Sequence, residues 1–242
     1  MIDKKKKIKN IFKNKIILGH KSSNRNPKMS KYILLKKNNI DIINPLKIIK
    51  YQKKAELALK QCAIIGGIIL FVGTKKQISN IIKIYAKKVN MPYINYKWPA
   101  GLLTNIKITK LIIKKIKSIK LKKKKIYKFL SKKEKLVNER KYKKIKKKFK
   151  SILDMNRLPL FIIIVDVKKE YIAVQEAKKK LIYIIGIVDT DSSPDDIDYL
   201  IPANDDSYKS IKYILKNLTN AIIEGKNEKE KKKKIKKKKI NE

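Results

Sequence analysis

The sequence predicts an α/β fold: a parallel sheet of about five strands with helices on both faces, Rossmann or flavodoxin-like, carrying an inserted antiparallel helical hairpin of coiled-coil type. Three observations predict it. Short runs of branched apolar residues recur, amphipathic stretches at helical spacing separate them, and one long basic segment fits neither. Residues 45–62 come first, with Leu46, Ile49, Leu57 and Cys62 near helical spacing and Pro45 at a helix start, where its missing N–H costs nothing. Ile68-Ile69-Leu70-Phe71-Val72, closed by Gly73, suits a strand buried on both faces. In residues 77–89, Ile78, Ile81, Ile82 and Tyr85 form one helical stripe. A second unit repeats the plan, with 160–165 as strand, 171–180 as helix and 183–188 as strand. Tyr199-Leu200-Ile201 is a further short strand, and 207–224 a last helix that Gly225 should stop. Strand–helix–strand units of this size imply parallel strands.

The segment 106–153 does not fit the sheet. Ile108, Ile112, Ile116 and Ile119 share a helical face, and Ser131 with Glu134 three residues on is a capping-box signal for a second helix. There Tyr142, Ile145, Phe149 and Ile152 step as a coiled-coil seam would. The expected organisation is a basic extension at 1–14, a sheet domain from 15–104 and 154–225, a hairpin at 105–153, and a disordered basic tail at 226–242.

The chain has 242 residues, enough for a real core, with 65 basic and 20 acidic side chains. Only Arg25, Arg140 and Arg157 are arginine; with the many Ile and Asn, the lysine excess resembles an A- and T-rich reduced genome. Codon bias would spread lysine evenly, and it is not even. Residues 106–150 carry 22 basic and 2 acidic side chains, whereas 151–225 carry 9 and 12. A net charge of +45 predicts a polyanionic partner. One cysteine, Cys62, excludes a disulfide framework and a multi-cysteine zinc site. The longest apolar run, 63–73, is short of the ~20 residues a membrane span needs, and Lys13 and Lys15 interrupt any signal-peptide core. A soluble intracellular protein is the expectation.

Chemistry-bearing motifs are few. Gly73-Thr74-Lys75 after a strand invites a phosphate-loop reading, but the upstream glycine is missing and Thr precedes Lys. The plain alternative is a tight turn with Lys75 and Lys76 free to meet phosphate. Asp189, Asp191, Ser193, Asp195 and Asp196 suggest a calcium loop, yet Pro194 stands where glycine must be and Leu200 where glutamate must be. Asp195 and Asp196 read instead as caps of a following helix. His20 is the only histidine, and Cys62 reads as core. Asp166, Glu170 and Glu176 supply an acid–base pair or, more simply, caps and partners for Lys168 and Lys169. Trp98, Tyr93 and Tyr96 either stack on unpaired bases or pack at the hairpin base.

Several segments resemble, in order, the bacterial-type second protein of the small ribosomal subunit, the S-two family. Gly19-His20, Asn26-Pro27-Lys28-Met29 and Ile42-Ile43-Asn44 are similar to its opening; Phe71-Val72-Gly73-Thr74-Lys75-Lys76 resembles its first strand and turn; Trp98 with Gly101-Leu102-Leu103-Thr104-Asn105 resembles its tryptophan segment. In the second half the similar segments are 166–170, 173–177, Val188-Asp189-Thr190-Asp191, Pro194-Asp195 and 198–206. The chain departs from the family at Ile17, Tyr96-Lys97, Pro99-Ala100 and Leu160. The resemblance implies a parallel-sheet domain with a helical hairpin, bound to small-subunit ribosomal RNA, without enzymatic activity, cofactor or metal. It also implies neighbouring small-subunit proteins, among them the large mRNA-capturing one, and a ribosome in the cytoplasm or in a plastid or other organelle. Candidate RNA-binding residues are Lys21, Arg25, Lys28, Lys31, Lys75, Lys76, Lys97, Trp98, Lys122, Lys123, Lys124 and Lys125. The competing reading is a Rossmann-like nucleotide-binding enzyme, which needs a glycine fingerprint and a ribose-binding acid ~20 residues on; the sequence has neither.

Overall fold

The computed structural model describes residues 2–126, 131–153, 155 and 157–241; the side chains of residues 2–4, 117, 119–126, 141, 144 and 233–241 are not among those described. Helix α1 (Ile2–Lys13) opens the chain and is tied down by buried Ile11. A small antiparallel sheet follows, from β1 (Leu18–Lys21), β2 (Ile33–Lys37) and β3 (Ile40–Ile43), in the order β1-β3-β2. Asn38 and Asn39 join β2 to β3 with φ of 47° and 59°, the left-handed pair that a two-residue hairpin requires and asparagine tolerates. None of these N-terminal elements carries a long enough periodic pattern to be read from sequence.

The main sheet contains β4 (Ile69–Val72), β5 (Tyr93–Ile94), β6 (Phe161–Val165), β7 (Tyr183–Val188) and β8 (Tyr199–Pro202), all parallel, in the order β5-β4-β6-β7-β8. By rank in the sheet this is 2-1-3-4-5, a doubly wound order whose switch point lies between β4 and β6. On one face pack α1, α2 (Pro45–Ile65), α3 (Lys76–Lys88) and α7 (Tyr208–Asn241), around Ile48, Leu59, Phe71, Ile82 and Leu215. On the other pack α6 (Tyr171–Lys179) and the hairpin base, around Leu70, Trp98, Ile162, Ile164 and Val174. The hairpin is α4 (Ile106–Ile126) and α5 (Lys132–Phe149), and Ser131 and Glu134 form the expected reciprocal cap.

Four expectations need correction. In α2 the buried stripe is Ile48, Ala55, Leu59 and Cys62, while Leu46 and Leu57 are exposed; the helix is turned by about one residue because Ile48 and Leu59 are what the sheet covers. In the hairpin, Ile116, Phe149 and Ile152 are buried in the sheet-facing core while Ile108 and Ile145 are exposed. Ile112 and Tyr142, half-buried, pack against the same core, so among the described residues the expected stripe is buried or half-buried except at Ile108 and Ile145. Asp195 and Asp196 cap no helix, since β8 is the next element. Asp195 pairs with Lys28 and Asp196 with Lys178, and Asp198 accepts the Ile184 N–H at 2.7 Å. Finally, Gly225 does not stop α7, and the tail is helical to Asn241. Gly225 lies where α7 crosses α2: a Cβ would strike the Lys60 carbonyl and come 2.8 Å from Ala63 Cβ. Here glycine serves close approach between helices, not termination.

Candidate nucleic-acid interface

The carboxyl ends of β4, β6, β7 and β8 converge on the crevice where a doubly wound sheet ordinarily seats a nucleotide. Here side chains narrow it to a cavity of about 170 Å³ lined by His20, Lys75, Asp166, Lys168, Lys169, Asp191 and Asp205. Lys75, at the turn after β4, places Nζ 2.7 Å from Asp166, 3.0 Å from Asp205 and 2.7 Å from Asp206. Asp166 ends β6 with φ of 64°, a left-handed conformation that aspartate tolerates better than most residues; its Oδ1 also accepts the Lys169 N–H at 3.0 Å. Thr74 donates its N–H, at 3.1 Å, and its hydroxyl to buried Glu170. Burial alone would lower the Lys75 ammonium, but the three aspartates outweigh it and raise its pKa. Burial, with Asp166 nearby, pushes Asp205 up to about 7.

The N-terminal segment is locked to the same cluster. His20 Nδ1 lies 3.2 Å from Asp189 and Nε2 3.2 Å from Asp206. The Asp189 carboxylate above all, with Asp191 and Asp206 adding to it, raises His20 to about 9 against the opposing effect of burial. His20 N–H donates to Thr190 Oγ1 at 2.9 Å, and Gly19 permits that approach, because a Cβ there would lie 2.7 Å from the same oxygen. This arrangement is a scaffold of internal ion pairs. A phosphate would have to displace Asp166, Asp205 and Asp206 to reach the Lys75 ammonium, which those carboxylates already satisfy.

A second buried carboxylate organises the loop that leads into the hairpin. Glu176, from α6, accepts from Trp98 Nε1 at 3.0 Å, Gly101 N at 2.7 Å and Leu103 N at 2.9 Å, with Thr104 N and Oγ1 both at 3.4 Å. Trp98 is buried against Glu176 rather than presented to a base. Glu176 therefore pairs with neither Lys168 nor Lys169. The only sequence signal for this role is a glutamate within an otherwise buried stripe, between Ala173, Val174 and Ala177.

The remaining candidates divide by whether a carboxylate already holds them. Arg25 is bonded through Nε (2.7 Å) and Nη2 to Asp41, which is buried and held below its usual carboxylate pKa by that pairing. Lys28 is on Asp195, and Lys75 is in the crevice. Lys21, Lys31, Lys76 and Lys97 are exposed without a carboxylate partner among the described residues; Lys31 lies 5.2 Å from the Tyr32 ring centre. Next to Lys97, exposed Tyr96 receives Lys147 of α5 at 4.0 Å from its ring centre, which ties the hairpin to that loop. Lys122, Lys123, Lys124 and Lys125 end α4, and their side chains lie outside the described residues. Cys62 is buried, which pushes its thiol up to about 11 and leaves it unreactive. Among the described residues no helix is long and apolar enough to cross a membrane, and no His, Cys, Asp and Glu group could hold a metal.

Comparison with known proteins agrees with this arrangement. A family model described as Ribosomal protein S2 matches residues 11–225. A small ribosomal subunit protein uS2 of Karelsulcia muelleri is 50% identical over 206 residues, covering 85% of this chain and 93% of the relative. Proteins of the same name from Flavobacterium johnsoniae and Christiangramia forsetii are 44% and 42% identical over 219 residues, 90% of this chain in each case and 86% and 73% of the relatives.

Proposed function

Because the chain belongs to the ribosomal protein S2 family, we propose that it is a structural, non-enzymatic constituent of the small ribosomal subunit that binds ribosomal RNA through lysine-rich surfaces. The observation that carries the mechanism is the partition of charge. The acidic side chains of the second half are spent inside the molecule, on Lys75, His20, Lys168, Lys178 and the Trp98 loop. The lysines of the hairpin and of Lys21, Lys31, Lys76 and Lys97 therefore keep a net field that phosphate would neutralise. Lys122 to Lys125, at the far end of α4, join them as contacts. The near-neutral segment 151–225 is left for neighbouring proteins, including the mRNA-capturing one, and the ribosome concerned is cytoplasmic.

Two measurements test the proposal. In extract separated by sedimentation the protein travels with the small subunit; migration as a free protein overturns the assignment. For binding to small-subunit RNA, neutralising ~8 phosphates gives a slope of log K against log salt of about −6 to −7. A slope shallower than about −2 overturns the phosphate mechanism while leaving the family assignment intact.

A further inference from the structure

Helix α7 is longer than the sheet it covers, and its outer part is built onto the domain at four places. Gly225 lets the α7 backbone touch α2 at the Lys60 carbonyl. Lys226 donates to the Val89 carbonyl, which closes α3. Glu228 pairs with Lys60 of α2 at 2.5 Å. The Lys229 ammonium lies against Gly66, the left-handed residue ending α2, where the helix carbonyls are electronegative. Beyond these fixings the helix continues to Asn241, and from Lys231 onward the sequence has eight lysines and no acid before Glu242. Lys231 and Lys232 are exposed.

We propose that this outer part of α7 is a second RNA-contacting arm, aimed by its fixings on α2 and α3, on the face of the sheet opposite the hairpin. The proposal rests on the ribosomal reading above. An isolated lysine-rich peptide would not hold a helix, because nucleation is unfavourable and like charges at i and i+4 each cost about 0.2–0.5 kcal/mol. Here the packed part of α7 is already the nucleus, so the arm only propagates it. Glu228 and Glu230 stand four residues before Lys232 and Lys234, the favourable order, and cations at a helix C-terminus are favoured by its dipole. From Lys226 to Asn241 the arm reaches about 24 Å. Phosphate is the partner that this composition fits, since eight lysines with no acid among them suit a polyanion.

The test compares four full-length or near full-length chains for affinity to small-subunit RNA across ~50–200 mM salt: the natural chain, one lacking residues 233–242, Lys231→Ala and Lys231→Pro. The truncation removes six lysines. If about three of them meet phosphates, the salt slope becomes shallower by ~2–3 and affinity falls at least ~10-fold near 0.1 M salt. Lys231→Ala costs one contact at most, a slope change of ~0.9 or less. Lys231→Pro breaks the helix beyond its fixings and therefore reproduces most of the truncation's loss. Equal behaviour of the alanine and proline variants, with loss only on truncation, overturns the aimed arm in favour of a loose charged tail. No effect of truncation on RNA affinity overturns the contact altogether, including the case in which a protein partner is lost instead. Failure of the natural chain itself to bind the RNA tells against the ribosomal reading, and unchanged thermal unfolding of all four separates these outcomes from misfolding.

Discussion

Glu176→Ala should unfold the loop that seats the hairpin, and the structure sets the size of the effect. The carboxylate accepts three hydrogen bonds of 2.7–3.0 Å from Trp98 Nε1, Gly101 N and Leu103 N. Trp98 and Leu103 are 8% and 0% exposed, so water does not replace the lost acceptor at either donor without opening the loop. A buried donor left unsatisfied costs about 1–3 kcal/mol, and two of them, with the cavity left by the side chain, give a destabilisation of about 3–5 kcal/mol. Glu176→Gln keeps one acceptor oxygen and should lose about half as much. Trp98 is the only tryptophan, so urea unfolding followed by its fluorescence reports both global stability and the local state of the loop. The alanine variant should emit at longer wavelength than the natural chain even before denaturant is added. Because Thr109 of α4 donates to the Leu102 carbonyl at 3.4 Å, the loosened loop should also weaken RNA binding through the hairpin. A loss below ~1 kcal/mol with unchanged emission would refute the reasoning, and would mean that apolar packing of Leu102 and Leu103 holds the loop by itself.

Three further outcomes are expected. Lys75→Met strips Asp166, Asp205 and Asp206 of their common cation, and chemical denaturation should show a loss of about 3 kcal/mol, at the low end for a broken buried pair because Lys75 keeps 22% of its side chain exposed; no gain in affinity for ATP or NAD should appear by calorimetry. His20 is raised from 6.5 to about 9 in the folded protein, so its contribution is complete below pH 6.5 and is lost as pH rises through 9. The urea midpoint should therefore fall between pH 7.5 and 9.5 in the natural chain and stay flatter in His20→Gln, and equal slopes would remove His20 from the account. Gly225→Ala puts a methyl group against the Lys60 carbonyl and Ala63; thermal unfolding should show a loss of about 1–3 kcal/mol, although alanine ordinarily gains up to ~1 kcal/mol over glycine inside a helix.

How much was legible in the sequence depended on whether one element or several decided a residue's place. Strands β4, β6, β7 and β8 are buried runs whose branched side chains fit nothing else, and helices α3 and α6 show a single stripe each, so the doubly wound class was readable. Strand β5 was not, because two residues, Tyr93 and Ile94, carry no period. Gly225 was misread because its helix-ending preference is local, while the need for α7 to touch α2 is tertiary. The carboxylates that hold Lys75 and Arg25 are not legible from the residues beside them, because one comes from the end of a strand more than ninety residues away and the other from a hairpin sixteen residues on. Lys28, another candidate, forms an exposed ion pair with Asp195. Lys21, Lys31, Lys76 and Lys97 have no such partner among the described residues and are the ones proposed as phosphate contacts.

The insertion of the hairpin between β5 and β6 also governs the order in which the molecule can form. Ile69 of β4 pairs with Phe161 of β6, and every residue of α3, β5, α4 and α5 lies between them. Closing so long a span is entropically slow, although each doubling of its length adds only about 0.6 kcal/mol. On a chain emerging from its N-terminus, β4 has only the two-residue β5 to pair with, and its other edge stays open until the whole hairpin and β6 have been synthesised. The β6-α6-β7-β8 unit, by contrast, pairs strands close in sequence. The second half is thus the template on which the first half is finally laid, and a polyanion that collects the hairpin early shortens the time during which β4 is open to aggregation.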